Sequence, residues 1–251
     1  MARVQFGAVP FDAGLVAFDK DGTLLDFEVM WGRLARTWVE HLAAAAGDEE
    51  LRPDLYRCLG YDLPRERTLP QSPLAIATTG QLLAIVAGTL YRHGIAWPEA
   101  EDRAREAFEV GAQLPLAGLV RPTGDVAGLF QRLRNSGVRV AVVTTDYRAP
   151  TEEALHLLGV AHLVDALVCD DDGLPSKPAP DLLLAACHAA GVEPARTAAV
   201  GDTLADLLMA RRAGAGLRVA VLSGAGDVEQ LSAEADVVLP SIDGITVGDP
   251  T

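Results

Sequence analysis

The chain has 251 residues, 49% of them hydrophobic and 22% charged, a composition that fits a globular protein and excludes a disordered one. Its formal charge is −14, from 35 acids against 21 bases, which opposes binding to nucleic acid or anionic membranes, since both are held by basic faces. The three cysteines, Cys58, Cys169 and Cys187, are odd in number and widely spaced, and point to neither a disulfide framework nor a zinc site.

Residues 14–18, Gly-Leu-Val-Ala-Phe, form an apolar run suited to a buried strand, which stops at Asp19-Lys-Asp-Gly-Thr23. From Leu24 to about Gly118 the pattern turns helical. Met30, Leu34, Trp38, His41 and Leu42 recur at spacings of three and four, as do Leu82, Leu83, Val86 and Leu90. Pro64, Pro70 and Pro73 divide this stretch into several helices, and no strand is expected in it. From Val120 the rhythm alternates. Residues 125–136 read as a helix closed by Gly137, 138–143 as a strand ending at Thr144-Thr145-Asp146, and 150–158 as a helix with acids in its first turn. Strands at 166–169, 197–200, 219–222 and 237–239 alternate with helices at 180–190 and 204–213. Such alternation implies parallel βαβ units with right-handed crossovers. The expected fold is α/β: a Rossmann-like parallel sheet domain from residues 1–23 and 119–251, interrupted after its first strand by an α-helical domain at 24–118. The longest apolar run, Leu82 to Tyr91, falls short of the ~20 residues of a membrane span, and the N-terminus lacks the apolar segment of a signal peptide. A cytoplasmic protein is expected.

In a parallel sheet, ligands collect at the carboxyl ends of the strands. Three of the predicted strand ends run directly into polar groups: Asp19 and Asp21, then Thr144 and Thr145, then Asp202 and Asp206. Taken singly, each is an ordinary turn or loop signal. Their common edge and order make them a set, and Lys177 joins it. Nineteen of the 21 bases are arginine, so Lys20 and Lys177 are the only lysines of the chain. Gathered carboxylates repel unless a hard cation neutralises them, and Mg²⁺ takes carboxylate oxygens together with water and phosphate. A carboxylate is a competent nucleophile toward phosphorus once cations screen the phosphate. A second carboxyl two residues on can protonate the leaving oxygen and later activate water.

Four segments carry a resemblance to a known family. Val16-Ala-Phe-Asp19-Lys-Asp21-Gly-Thr23-Leu, Val142-Val-Thr144, Lys177-Pro-Ala-Pro-Asp181 and Val200-Gly-Asp202-Thr-Leu-Ala-Asp206 together resemble the haloacid-dehalogenase-like superfamily. The resemblance implies Asp19 as nucleophile, Asp21 as general acid and base, and Thr144 and Lys177 as phosphate ligands. It also implies Mg²⁺ held by Asp19, Asp202 and the carbonyl of Asp21, with Asp206 as a ligand or as support to one. The insertion at 24–118 is similar to the helical cap of the phosphoglycolate-phosphatase-like branch. The expected activity is Mg²⁺-dependent hydrolysis of a small phosphorylated metabolite, a phosphoglycolate, sugar phosphate or nucleotide, through an aspartyl phosphate.

Two positions depart from the family pattern. Lys20 stands where many relatives are apolar, and continued strand alternation would turn it away from Asp19 and Asp21 to a peripheral position. Thr145 stands where this branch often has Asn, and bears on substrate contact. A dehalogenase needs neither Asp21 nor the Asp202/Asp206 pair, and a phosphonatase of this branch needs a cap lysine, which residues 24–118 lack. A phosphosugar mutase shares all four motifs and stands as the alternative, with a non-catalytic phosphate-ligand binder behind it. Trp31 and Trp38 read as cap core, Asp170-Asp171-Asp172 as a solvated loop, and Arg121 as a weak candidate for substrate contact.

Overall fold

The computed structural model describes residues 3–247. The chain forms two compact units, one running to Asp26 and resuming at Val120, the other spanning Phe27–Leu119. In chain order the first unit opens with β1 (Val4–Phe6), β2 (Val9–Phe11) and β3 (Leu15–Phe18). The second contains α1 (Arg33–Ala46), α2 (Leu51–Leu59), β4 (Tyr61–Asp62), β5 (Arg67–Thr68), α3 (Pro73–Ile76), α4 (Thr79–Arg92) and α5 (Trp97–Ala112). The first unit then continues with α6 (Val126–Asn135), β6 (Arg139–Val143), α7 (Arg148–Leu157), β7 (Ala166–Val168), α8 (Asp181–Ala190), β8 (Thr197–Gly201) and α9 (Leu204–Ala213). It closes with β9 (Leu217–Val221), α10 (Val228–Glu234), β10 (Val237–Leu239) and β11 (Ile245–Val247).

The first unit is built on a six-stranded sheet in the order β10-β9-β8-β3-β6-β7, with every pairing parallel. Both faces of this sheet are covered, so its strands read as unbroken apolar runs. Alternation along each strand divides the core in two. Val16, Phe18, Val140, Val142 and Val200 pack with Leu129, Phe130 and Leu133 of α6. Leu15, Ala17, Ala141, Val143 and Ala199 pack with Leu182, Leu183 and Ala186 of α8 and Met209 and Ala210 of α9. After β3 the chain adds β6 and β7 on one side, then returns to add β8, β9 and β10 on the other. The carboxyl end of β3 is therefore flanked by β6 and β8 at the point where strand order reverses, the place where open α/β sheets bind ligands.

Several elements differ from the sequence expectation. β1, β2 and β11 form a separate antiparallel sheet, with Val4 opposite Val247 and Val4 opposite Phe11. Each has three residues, too few to establish a period, and the β1–β11 pairing is remote in sequence. The helical unit contains a hairpin, β4–β5, where no strand was expected; the Asp62 carboxylate accepts the Arg65 N–H in its turn, and Glu66 sits at φ 49°. α7 starts at Arg148 rather than at 150, so Glu152 and Glu153 lie beyond its first turn. In the helical unit, Trp38 is buried and its ring stacks on Phe108 with centroids 4.0 Å apart, while Trp31 meets Trp38 edge-on at 6.3 Å. No helix among the described residues is long and apolar enough to cross a membrane.

Candidate active site

β3 ends at Phe18, and the next residue continues its ladder by one bond, the Asp19 N–H donating to the Val200 carbonyl of β8 at 2.9 Å. This places the Asp19 side chain at the strand end, beside those of Asp202 and Asp206 that follow β8. One carboxylate oxygen from each of the three lies within 4.8 Å of the other two. Lys177, arriving on the segment before α8, places Nζ 2.6 Å from Asp19 Oδ1 and 2.6 Å from Asp206 Oδ1. Its side chain is only 4% exposed, so the ammonium interacts with these carboxylates almost unscreened by water.

Burial pushes the Asp19 carboxyl up to about 7; Lys177 opposes the shift, and the neighbouring charges of Asp206 and Asp21 add to it. Burial likewise drives Asp202 well above the ordinary carboxylate range, with Asp19 and Asp206 adding repulsion. For Lys177, burial alone would push the ammonium down, but Asp19 and Asp206 more than offset it and hold it above its ordinary value. One lysine among three buried carboxylates leaves negative charge in excess. That is a donor set for a hard divalent cation, and its oxygen chemistry fits Mg²⁺. The ligands differ in availability. Asp206 has both oxygens engaged: Oδ1 on Lys177, and Oδ2 on the Thr203 hydroxyl at 2.5 Å and the Thr203 N–H at 3.1 Å, a capping box that opens α9. Asp202, fully buried, accepts the Ala225 N–H on Oδ2 at 2.9 Å and faces the Thr23 hydroxyl at 3.4 Å.

A family model for haloacid dehalogenase-like hydrolases matches residues 14–214, a span that holds Asp19, Lys177, Asp202 and Asp206. The chain belongs to this family. Among curated proteins it is 31% identical over 199 residues to the N-acetylmuramic acid 6-phosphate phosphatase of Pseudomonas aeruginosa, covering 79% of this chain and 77% of that one. It is 28% identical over 234 residues to a phosphoglycolate phosphatase of Agrobacterium fabrum, covering 92% and 90%. Among solved structures, a predicted phosphoglycolate phosphatase from Haemophilus somnus superposes with a TM-score of 0.71 at 19% identity, over 92% of this chain and 95% of that one. By this kinship the chain is an enzyme, a phosphoric monoester hydrolase of the haloacid dehalogenase-like family.

The remaining sequence candidates have distinct surroundings in this hydrolase. Thr144 follows β6, is buried, and accepts the Asp146 N–H on its hydroxyl oxygen at 3.1 Å, which leaves the hydroxyl proton as a donor. Thr145 beside it is half-buried. Lys20 is not peripheral, and this corrects the sequence reading. Strand alternation ends with Phe18; Lys20 sits in a bend whose carbonyl accepts the Leu24 and Leu25 N–H groups, and its side chain is 1% exposed. Its Nζ lies 2.9 Å from Asp21 Oδ1, 2.8 Å from Asp21 Oδ2 and 2.9 Å from Asp146 Oδ2. Arg121 pairs with Asp26 at 2.6 Å, and Asp172 is bound by Arg148 at 2.8 Å through each oxygen.

Sequence reasoning missed the loop after β9, Ser223-Gly-Ala-Gly226. Its Ser223 hydroxyl donates to the Gly22 carbonyl at 2.7 Å, and its Ala225 N–H donates to Asp202. A Cβ at Gly224, or at Gly22 with its φ of 89°, would fall on the Asp202 carboxylate, so glycine at both positions lets the backbone close around that side chain. The available signal was two glycines directly beyond a strand end, on the edge that already carried the aspartates.

Proposed function

We propose that this hydrolase cleaves small phosphate monoesters by way of an aspartyl phosphate on Asp19, with Mg²⁺ as its cofactor. The observation that carries the reading is the pair of 2.6 Å contacts from Lys177 to Asp19 and Asp206, in a buried cluster completed by Asp202. Asp19 and Asp202, with the Asp21 carbonyl, would hold the cation, which when bound neutralises phosphate and carboxylate charge and lets an anionic nucleophile approach phosphorus. Asp206, with both oxygens occupied, serves this site chiefly by fixing Lys177.

Asp19 attacks phosphorus, the phosphorus–ester oxygen bond breaks, and Asp21 delivers its proton to the departing oxygen. Asp21, now a carboxylate, takes a proton from water. The water oxygen attacks the same phosphorus and the bond to Asp19 breaks, releasing inorganic phosphate and restoring both aspartates. Thr144 and Lys177 donate to the phosphoryl oxygens, and Thr145 is the neighbouring contact. The relatives named for small phosphate esters, N-acetylmuramic acid 6-phosphate and phosphoglycolate, favour a small phosphorylated metabolite over a phosphoprotein.

A panel of phosphorylated hydroxy acids, sugar phosphates, nucleotides and one folded phosphoprotein, each incubated with Mg²⁺ or with excess chelator, tests this. Phosphate release from a small ester, abolished by chelator and by Asp19→Asn, is expected. Turnover in chelator or in Asp19→Asn overturns the mechanism. Faster action on the phosphoprotein than on every small ester overturns the substrate class. Phosphoryl return to a second hydroxyl, dependent on a bisphosphate, makes the enzyme a mutase.

A further inference from the structure

We infer that Lys20 and Asp146 form a buried positioning pair that aims Asp21 at the leaving oxygen and ties it to the phosphate-binding end of β6. The inference rests on the reading of Asp21 as the acid and base of the reaction. Lys20 Nζ reaches both oxygens of Asp21, at 2.9 and 2.8 Å, and reaches Asp146 Oδ2 at 2.9 Å. Asp146 is itself fixed. Its own N–H donates to Thr144 Oγ1 at 3.1 Å, and the Tyr147 N–H donates to its Oδ1 at 2.8 Å. A continuous series of polar contacts therefore runs from Thr144, at the end of β6, through Asp146 and Lys20 to Asp21, beyond the end of β3.

A stability role explains this arrangement poorly. Lys20 is among the largest fully buried side chains of the protein, and withdrawing an ammonium from water costs about as much as its ion pairs return, so an apolar side chain of similar volume would serve packing at least as well. The bridge does something an apolar residue cannot. Asp21 sits in a tight turn, between a bend at Lys20 and Gly22 in the left-handed region, and its carboxyl must stay within hydrogen-bond reach of an oxygen it meets only in the bound substrate. A cation seated across both of its oxygens, and held in turn by a carboxylate from the adjacent strand end, restricts where that carboxyl can point. Because the same series begins at Thr144, it sets the acid in register with a group that receives the phosphoryl.

The test compares kcat/KM for an alkyl phosphate, whose leaving oxygen needs a proton, with kcat/KM for p-nitrophenyl phosphate, whose leaving group needs none. Both substrates are assayed on one preparation with saturating Mg²⁺. The ratio of the two is unaffected by any fraction of the variant that fails to fold. Asp21→Asn serves as the reference and should lower the alkyl-to-aryl ratio by about 10² or more. Lys20→Met should lower it by about tenfold or more. Asp146→Asn should lower it in the same direction, and the double variant should be little worse than Lys20→Met alone, because the two residues act as one unit. If Asp21→Asn shifts the ratio and Lys20→Met leaves it unchanged or raises it, the positioning role is wrong while the mechanism stands. If Asp21→Asn does not shift the ratio, the acid role of Asp21 is wrong and the positioning role falls with it.

Discussion

Withdrawing the divalent cation should make the core unit less stable as pH rises, the reverse of what salt-bridged carboxylates usually do. In the protein without metal, burial holds the Asp19 carboxyl near 7, against 3.8 for the ordinary group. Below about pH 4 the carboxyl is protonated in native and unfolded chains alike. Between about 4 and 7 the native state keeps a proton that the unfolded state has lost, so stability falls by up to about 1.4 kcal/mol per pH unit and levels off above 7. The gap between the two values corresponds to about 4 kcal/mol, and Asp202 is displaced in the same direction. Asp19→Asn abolishes the Asp19 contribution. In excess chelator the variant should match the wild type near pH 4 and exceed it by up to about 4 kcal/mol at pH 8. With saturating Mg²⁺ at pH 8 the order should reverse, because the cation stabilises only the state that binds it. Trp31, Trp38 and Trp97 all lie in the helical unit, so tryptophan fluorescence reports on the wrong part of the chain. Amide hydrogen exchange of Leu15–Phe18 follows the core. Parallel wild-type and Asp19→Asn curves between pH 5 and 8 in chelator would refute the reasoning.

Lys177→Arg should lower kcat/KM by roughly 10²–10³ with the fold retained, since a planar fork cannot take the place of a point charge 2.6 Å from two carboxylates; near-normal turnover would remove Lys177 from the site. Gly224→Ala should raise the Mg²⁺ concentration for half-maximal activity by about tenfold or more, because its Cβ displaces Asp202, and an unchanged metal titration would count against that loop as a support. In the helical unit, hydrogen bonds donated to Asp48 at 2.7 Å and to Asp54 at 3.1 Å hold the His93 imidazolium above its ordinary 6.5. Its stabilising effect is complete below 6.5 and fades as pH rises through the raised value, so the melting difference between wild type and His93→Gln should be larger at pH 5.5 than at pH 9.

The sheet was legible because its strands are buried on both faces. Leu15–Phe18, Arg139–Val143 and Thr197–Gly201 stand out as largely apolar runs, each followed by a helical stretch, and that order alone implies parallel pairing. The small antiparallel sheet was not legible, because Val4 finds Val247 across nearly the whole chain and no local pattern encodes such a partner. The β4–β5 hairpin was hidden for another reason: two residues per strand carry no period, and the turn that holds them depends on the Asp62 side chain and on a positive φ at Glu66.

At the site, the legible residues are those whose chemistry is written at a strand end. Asp19, Thr144 and Asp202 each follow a strand directly, so locating the strand locates the group. Lys20 shows where that reasoning stops. Alternation is a property of extended backbone and says nothing once the chain bends, and the bend after Phe18 depends on hydrogen bonds from Leu24 and Leu25 to the Lys20 carbonyl. The side chain is thereby turned inward, toward Asp21 and an aspartate 126 positions further along the chain. Lys20 and Lys177 are the two lysines of an arginine-rich chain, and each bridges two carboxylates in a buried setting. A compact ammonium fits between two carboxylates where a guanidinium fork does not, which gives a physical reason for lysine at both positions in a chain that otherwise uses arginine.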